Sequence, residues 1–164
     1  MIIRKKLDEK HTLITTPHYP YMRKHKQNRR HKVVLGLGGN IGDVQRRFEH
    51  LYWYLKHSRS IEIVETTPIL KNPAFGFMRQ REYLNTLMRI ETDMTPRALL
   101  TYVLHVEKKF KRKRFFKDGP RTLDIDIIFY DKIKMQTKDL TIPHKEWKNR
   151  NSVVIPLSYM KGKI

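Results

Sequence analysis

Hydrophobic and polar positions recur in a regular way along most of this 164-residue chain. Four stretches are short and apolar, or alternate between apolar and polar residues, as β-strands with one or both faces buried do. These predicted strands cover residues 32–38, 61–66, 83–90 and 122–130. Residues 67–81 contain two prolines and a glycine and are predicted to form a long loop, a kind of segment that in a compact domain usually serves function.

Apolar residues at helical spacing predict two helices between these strands. Asp43 caps the first helix, and Thr95 followed by Pro96 opens the second. The order strand, helix, strand, strand, helix, strand predicts an α+β fold. It is typical of a ferredoxin-like sandwich, a mostly antiparallel sheet with helices on one face and substrate loops on the other. The apolar helix positions are Val44, Phe48, Leu51, Tyr52 and Leu55, then Leu99, Val103, Val106 and Phe110.

Residues 1–31 show no sustained periodicity, so we interpret them as a basic N-terminal extension, partly disordered, ahead of a single domain at 32–164. Residues 1–32 contain ten Lys or Arg and two acids, and residues 108–117 contain seven Lys or Arg and no acid. Most of the net charge of +19 therefore lies in a tail and one loop. Such charge favours polyanions, although a solvated tail explains the first segment equally well.

Composition excludes several classes of protein. The chain has no apolar run long enough to span a membrane, and its first ten residues lack the apolar centre of a signal peptide. It has no cysteine, which excludes disulfides and thiolate metal sites. We therefore expect a cytoplasmic protein without a membrane partner, acting as a monomer.

Two aspartates in the last predicted strand are the strongest sign of chemistry. Asp124 and Asp126 alternate with Leu123, Ile125 and Ile127, so both carboxylates leave the same face. Two acidic residues on the solvent-exposed face of a strand are often merely solvated and have no binding role. Here the basic loop at 108–117 precedes them, and cations beside a carboxylate pair suit a nucleoside triphosphate with magnesium.

The sequence alone does not decide the roles of two other motifs. The glycines of Gly36-Leu37-Gly38-Gly39-Asn40 do not complete a dinucleotide-binding fingerprint, because Ile41 stands where the third glycine belongs. They are better interpreted as a tight turn from strand to helix. His144 follows a proline and could act as a general base, but a phosphate contact is the favoured interpretation.

Together these segments resemble one family. The chain is similar to 6-hydroxymethyl-7,8-dihydropterin pyrophosphokinases of folate biosynthesis over about residues 33–158, and the segment Gly-Pro-Arg-Thr-Leu-Asp-Ile-Asp is highly specific. The resemblance implies a kinase that transfers pyrophosphate from ATP to the pterin's hydroxymethyl group and releases AMP. Its motifs are Gly36-x-Gly-Gly-Asn40, Thr66-Thr67-Pro68, Glu82-Tyr83-Leu84-Asn85, residues 119–126, Ile142-Pro143-His144 and Lys148-Asn149-Arg150.

The resemblance also implies residue roles. Asp124 and Asp126 would bind two magnesium ions and, with Arg112, Arg114 and Arg121, form the catalytic set, Arg114 belonging to a mobile loop. The pterin would contact Thr67, Pro68, Leu70, Tyr83 and Asn85. ATP, the co-substrate, would contact Glu107, Arg112, Arg121, Ile127, Thr141, His144 and Arg150.

Ser152 is a departure from the family pattern, which commonly has an aromatic residue there to stack on the pterin. Phe77, Phe115 or Phe116 are candidates for that ring, as is Tyr19 or Tyr21 if the extension folds back. Asp118 stands where the family often has an aromatic residue or Asn.

An RNA-binding module is the rival hypothesis, because such modules use a similar sheet and the chain is strongly basic. The strand that would bind RNA in such a module carries Asp124 and Asp126, whose negative charges would repel a phosphate backbone. We therefore expect nucleic acid not to be the main partner.

Overall fold

The computed structural model describes residues 1–25, 28–74, 76, 79–112 and 116–162. The strands in these ranges are β1 (Ile3–Lys6), β2 (Thr12–Thr15), β3 (Tyr21–Met22), β4 (His31–Gly39), β5 (Ile61–Thr66), β6 (Ile69–Asn72), β7 (Tyr83–Thr92), β8 (Asp124–Tyr130), β9 (Met135–Gln136) and β10 (Thr141–Ile142). The helices are α1 (Val44–Lys56), α2 (Pro96–Lys109) and α3 (Asn151–Ser158). None of these helices is long and apolar enough to cross a membrane.

The centre of the sheet has the predicted ferredoxin-like arrangement. Strands β5, β7, β4 and β8 lie side by side in that order, and each neighbouring pair is antiparallel. Helix α1 connects β4 to β5, and α2 connects β7 to β8. The α+β fold class is therefore confirmed.

One face of the sheet is covered by α1 and α2. Helix α1 buries all five predicted apolar positions, and α2 buries Leu99, Val103 and Val106. Phe110 is the C-terminal cap of α2 and packs partly buried against the same core. These side chains meet Leu35 and Leu37 of β4, so the main core lies between this face and the two helices.

The opposite face is partly covered by a short helix that the sequence analysis did not predict. Val153 of α3 packs with Val34, Leu87 and Ile128 in a second, smaller cluster. The helices are therefore not confined to one face. Helix α3 leaves the neighbouring part of this face, around the ends of β4, β7 and β8, for a cleft.

The predicted loop at 67–81 is wrong in its first half, since it contains β6. Residues 70–72 pair with residues 83–85 of β7, at the end of β7 that β5 leaves unpaired. Pro68 and Pro73 flank this four-residue strand, and their positions in the sequence favoured a loop. Pairing with β7 supplies the backbone hydrogen bonds that a four-residue strand cannot provide alone.

The N-terminal residues were interpreted as an appendage with one short ordered piece, whereas three strands form there. Strand β1 pairs with β2, β2 pairs with β6, and β3 pairs with β5. Ile14 and Tyr19 are fully buried in the main core, and the Tyr19 hydroxyl donates to the carbonyl of Phe48 at 2.7 Å. The segment extends the sheet, although its status as a separate unit from 32–164 stays a prediction.

The charge of this segment lies on its outer strand. All four residues of β1 are exposed, including Arg4, Lys5 and Lys6, and β1 lies at the end of the strand order. Cations along an edge strand discourage pairing with another chain. Arg23 behaves differently, because its guanidinium contacts Glu62 and the buried Glu91, each at 3.0 Å.

Candidate active site

The register of three strands places the two aspartates on the same face of the sheet as Asn85, a residue predicted to contact the pterin. Gly38 of β4 lies opposite Asp124 of β8 on one side and Asn85 of β7 on the other, and Gly36 lies opposite Asp126. Directly opposed residues in antiparallel strands share a face. Asp124, Asp126 and Asn85 therefore project from the face that α3 partly covers.

The glycines of β4 make room for these side chains. A Cβ atom at Gly38 would lie 2.6 Å from Asn85 Nδ2, and one at Gly36 would lie 3.0 Å from Ile128 Cδ1. At Gly39 it would lie 2.6 Å from the backbone oxygen of Thr122. The glycine motif thus continues β4 to Gly39 and allows β7 and the segment before β8 to approach closely.

A cleft of about 130 Å³ opens on this face. It brings together seven of the residues that the sequence analysis assigned to the site. The Arg121 Nε atom lies 3.5 Å from Asp124 Oδ2, so a cation stands beside the first carboxylate. These seven predicted site residues are Tyr83, Asn85, Arg121, Asp124, Asp126, His144 and Arg150.

Asn40 holds two of the surrounding loops in place. Its Oδ1 atom accepts from the Arg121 N–H at 2.8 Å, and its backbone N–H donates to the Arg121 carbonyl at 2.9 Å. Its Nδ2 group donates to Gln80 Oε1 at 3.0 Å and to the Arg81 carbonyl at 2.8 Å. This buried side chain therefore connects the loop before β7 to Arg121.

The same two loops meet again around Asp118. Gln80 Nε2 donates to the Asp118 carbonyl at 2.8 Å, and the Tyr83 hydroxyl donates to the Gly119 carbonyl at 2.7 Å. Burial, together with the charge of Asp124, raises the pKa of Tyr83. Tyr83 therefore remains protonated at neutral pH and keeps its hydrogen bond to the loop.

Arg112 and Glu107 contact one another, and neither lines the cleft. The Arg112 Nη1 atom lies 3.1 Å from Glu107 Oε1, and Glu107 Oε2 accepts from the Ile125 N–H at 2.6 Å. Ile125 lies between the two aspartates, but its side chain faces the main core. The buried Glu107 thus supports the strand from behind, and its contact with ATP stays a prediction.

Several other predicted contacts also lie away from the cleft. The side chain of Ile127 is buried in the main core, and Thr141 belongs to β10, which pairs with β9. Thr67 is buried, and its hydroxyl accepts from the Leu87 N–H at 3.0 Å. Pro68 and Leu70 are buried and do not line the cleft. Any role of these five residues in binding remains a prediction.

The aromatic residue that would replace Ser152 is not identified. Tyr19 is buried under α1, and Tyr21 packs against Tyr52 of that helix at a centroid distance of 5.1 Å, so the extension does not supply it. Phe116 is exposed, and its ring lies against Gly119. Arg114, Phe115 and Phe77 lie outside the described residues.

The carboxylates suit a hard divalent cation. Asp126 is exposed and Asp124 is half-buried, so water and phosphate oxygens can complete a coordination shell around them. No cluster of three or more His, Cys, Asp or Glu side chains with the arrangement of a metal site occurs in the part of the chain that the structure describes. Magnesium commonly binds through one or two carboxylates plus substrate phosphates, so the pair fits this ion.

Sequence reasoning missed the side chains that hold the site together. Asn40 belongs to the glycine motif, and its position directly after the last strand residue was a usable signal. Asn72 and Gln80 lay inside the predicted loop, where no periodicity marked them. Asp118, which lines the cleft, was noted only as a departure from the family pattern.

The fold and the cleft define a ferredoxin-like protein whose open face carries a cleft lined by carboxylate, arginine and histidine side chains. Residues 34–162 match the family described as 7,8-dihydro-6-hydroxymethylpterin-pyrophosphokinase, and the chain belongs to this family. The chain is similar to the 2-amino-4-hydroxy-6-hydroxymethyldihydropteridine pyrophosphokinases of two bacteria. It is 38% identical to that of Campylobacter jejuni over 85% of this chain and 88% of the relative, and 34% identical to that of Helicobacter pylori over 89% and 91%.

The second of these relatives also bears on the N-terminal segment. Its alignment includes 148 residues, whereas residues 33–164 number 164 − 32 = 132, so it reaches residues before 33. The similar enzyme of Aquifex aeolicus, 36% identical, aligns over only 126 residues, 76% of this chain and 77% of that enzyme. Part of the segment before residue 33 therefore has a counterpart in the Helicobacter pylori enzyme.

Proposed function

We propose that this enzyme transfers pyrophosphate from ATP to the hydroxymethyl group of 6-hydroxymethyl-7,8-dihydropterin by using the cleft between β4, β7, β8 and α3. Membership in the family supports this reaction of folate biosynthesis. The observation that carries the site assignment is the register. It places Asp124 and Asp126 on the same face as Asn85, with Arg121, His144 and Arg150 around one cleft.

In the proposed reaction, the hydroxymethyl oxygen attacks the β-phosphorus of ATP. A P–O bond forms between the hydroxymethyl oxygen and the β-phosphorus, and the hydroxyl proton is released. The bond between the β-phosphorus and the α,β-bridging oxygen breaks, so AMP leaves. Arg121, His144 and Arg150 surround the phosphates, while Tyr83 and Asn85 hold the pterin. Magnesium bound by the two aspartates would neutralise phosphate charge as that charge moves. Positioning and charge stabilisation are the main catalytic contributions.

The cleft also bears on the remaining hypotheses. The acidic pair occupies the face on which an RNA-binding module of similar shape would stack bases, so we propose no main role in nucleic-acid binding. We also propose that the enzyme acts as a monomer. We further propose a cytoplasmic location.

Chromatographic detection of AMP tests the proposed reaction. AMP should appear from ATP only when the pterin is present, together with an equal amount of pterin diphosphate, and excess EDTA should abolish both products. ADP as the product would contradict transfer of a pyrophosphoryl group. AMP formation that is independent of the pterin would contradict the proposed acceptor.

A further inference from the structure

Asn72 is a buried polar side chain in the cleft that none of the family-derived roles includes. It is the last residue of β6, only 8% exposed, and it lies directly opposite Tyr83 of β7. Tyr83 and Asn85 lie two residues apart on β7 and project from the same face. The register therefore places Asn72 directly across from Tyr83 and diagonally across from Asn85, which lies opposite Leu70, and Asn72, Tyr83 and Asn85 all line the cleft.

The side-chain oxygen of Asn72 lacks a hydrogen-bond donor among the residues that the structure describes. Nδ2 donates to the Pro73 carbonyl at 3.2 Å, whereas Oδ1 is buried and accepts no hydrogen bond from any residue within the described ranges. A buried acceptor without a partner costs about 1–3 kcal/mol, so such groups are rare in folded proteins. At the edge of a ligand cleft, a bound donor can satisfy this acceptor.

The pterin ring offers suitable donors. Its 2-amino group, N3–H and N8–H lie on the edges of a flat ring, and a site that hydrogen-bonds such groups discriminates strongly against analogues that lack them. We propose that Asn72 Oδ1 accepts a hydrogen bond from a ring N–H of the pterin and is a specificity-determining residue of this enzyme. This inference rests on the proposed function, because it assumes that the pterin occupies this cleft.

Three substitutions at one position test the inference. Calorimetry would measure the pterin dissociation constant in the presence of a non-hydrolysable ATP analogue. Asn72→Ala and Asn72→Leu should each weaken pterin binding about three- to tenfold, the effect of one lost hydrogen bond. Asn72→Asp keeps the acceptor oxygen and should stay within about threefold of the unmodified enzyme. Asn28→Ala, a change at an exposed asparagine outside the cleft, is the matched control.

Other readouts separate ligand binding from a structural role. The dissociation constant of the ATP analogue should stay unchanged in all variants. The melting temperature of the Asn72→Leu variant should fall little, because the lost hydrogen bond to the Pro73 carbonyl is offset by removal of a buried acceptor that lacks a partner among the described residues. Parallel weakening of pterin and nucleotide binding, without recovery in Asn72→Asp, would overturn the inference, as would unchanged pterin affinity in both apolar variants.

Pterin analogues provide a test that does not depend on how the variants fold. Replacing one of the three N–H groups with a group that cannot donate should weaken binding to the unmodified enzyme but have little effect in Asn72→Ala. If none of the three analogues shows this coupling, the inference is wrong. An unmodified enzyme that forms no AMP from ATP and the pterin would instead defeat the proposed function.

Discussion

Replacing Gly38 with alanine should damage pterin binding while leaving the fold intact. The new Cβ would lie 2.6 Å from Asn85 Nδ2, well inside the ordinary contact distance, so the Asn85 amide must move. The next nearest atom outside that side chain, the Leu84 carbonyl oxygen, would be 3.8 Å away, an ordinary contact. The clash therefore falls on the end of one side chain and not on the backbone.

The expected loss is about that of one hydrogen bond, roughly 0.5–1.5 kcal/mol, or a two- to twelvefold rise in the pterin KM. The KM for ATP should change little, and the melting temperature should stay near that of the unmodified enzyme. Gly39→Ala is the contrasting variant, because its Cβ would lie 2.6 Å from the Thr122 backbone oxygen, and it should destabilise the fold. Normal pterin kinetics in Gly38→Ala would refute the placement of Asn85 at the pterin.

Three further outcomes are expected. Asn40→Ala should lower the free energy of unfolding by about 3 kcal/mol, since three side-chain hydrogen bonds are lost. A decrease below about 0.5 kcal/mol, measured by urea denaturation, would contradict this. Arg112→Ala should slow single-turnover chemistry more than it weakens pterin binding, and a pure rise in the pterin dissociation constant would contradict its assigned role. Burial raises the pKa of Tyr19 well above 10, so the stability it contributes is complete below pH 10 and falls as the pH rises further. Tyr19→Phe should lose less stability than the unmodified enzyme between pH 9 and pH 11, and equal losses would count against this burial.

Because the N-terminal strands belong to the sheet, their deletion should affect the stability of the enzyme and its affinity for the pterin. The lack of periodicity in residues 1–30 marks them as an appendage outside the core, whose deletion would leave turnover within about one order of magnitude of that of the intact chain. The structure instead buries Ile14 and Tyr19 and pairs β2 with β6, the strand that carries Asn72. Deletion should therefore destabilise the whole fold and weaken pterin binding, as thermal melts and calorimetry can measure. A truncated enzyme with normal stability and normal pterin affinity would show instead that the segment is an appendage outside the core.

Periodicity predicted the elements that bury a repeating face. Helix α1 buries the five expected residues and β5 has the expected bounds, because one-sided burial leaves a pattern of period 3.6 or 2 in the sequence. Strands β1, β2, β3 and β6 have two to four residues each, which is too few for such a pattern. Their stability comes from pairing with neighbours that are distant in the sequence.

The candidate site was predictable where a motif fixes both residue type and position. The spacing of Asp124 and Asp126 indicated a shared face, and the register agrees. Asn72 could not be assigned from spacing, because its role depends on which loops and strands meet around it. Arg112 illustrates a further limit, since motif similarity did not reveal that its guanidinium pairs with Glu107 at the end of α2 and not with groups in the cleft.

The most direct test of the central claim measures pterin-dependent AMP formation against magnesium concentration in Asp124→Asn and Asp126→Asn. Each substitution keeps the size of the side chain but removes a carboxylate from the proposed metal site. Turnover should fall by at least about a hundredfold, comparable to the loss of one preorganised electrostatic contact, while the melting temperature stays near that of the unmodified enzyme. Near-normal turnover at low magnesium in either variant would contradict the claim that this pair of aspartates holds the metal for pyrophosphoryl transfer.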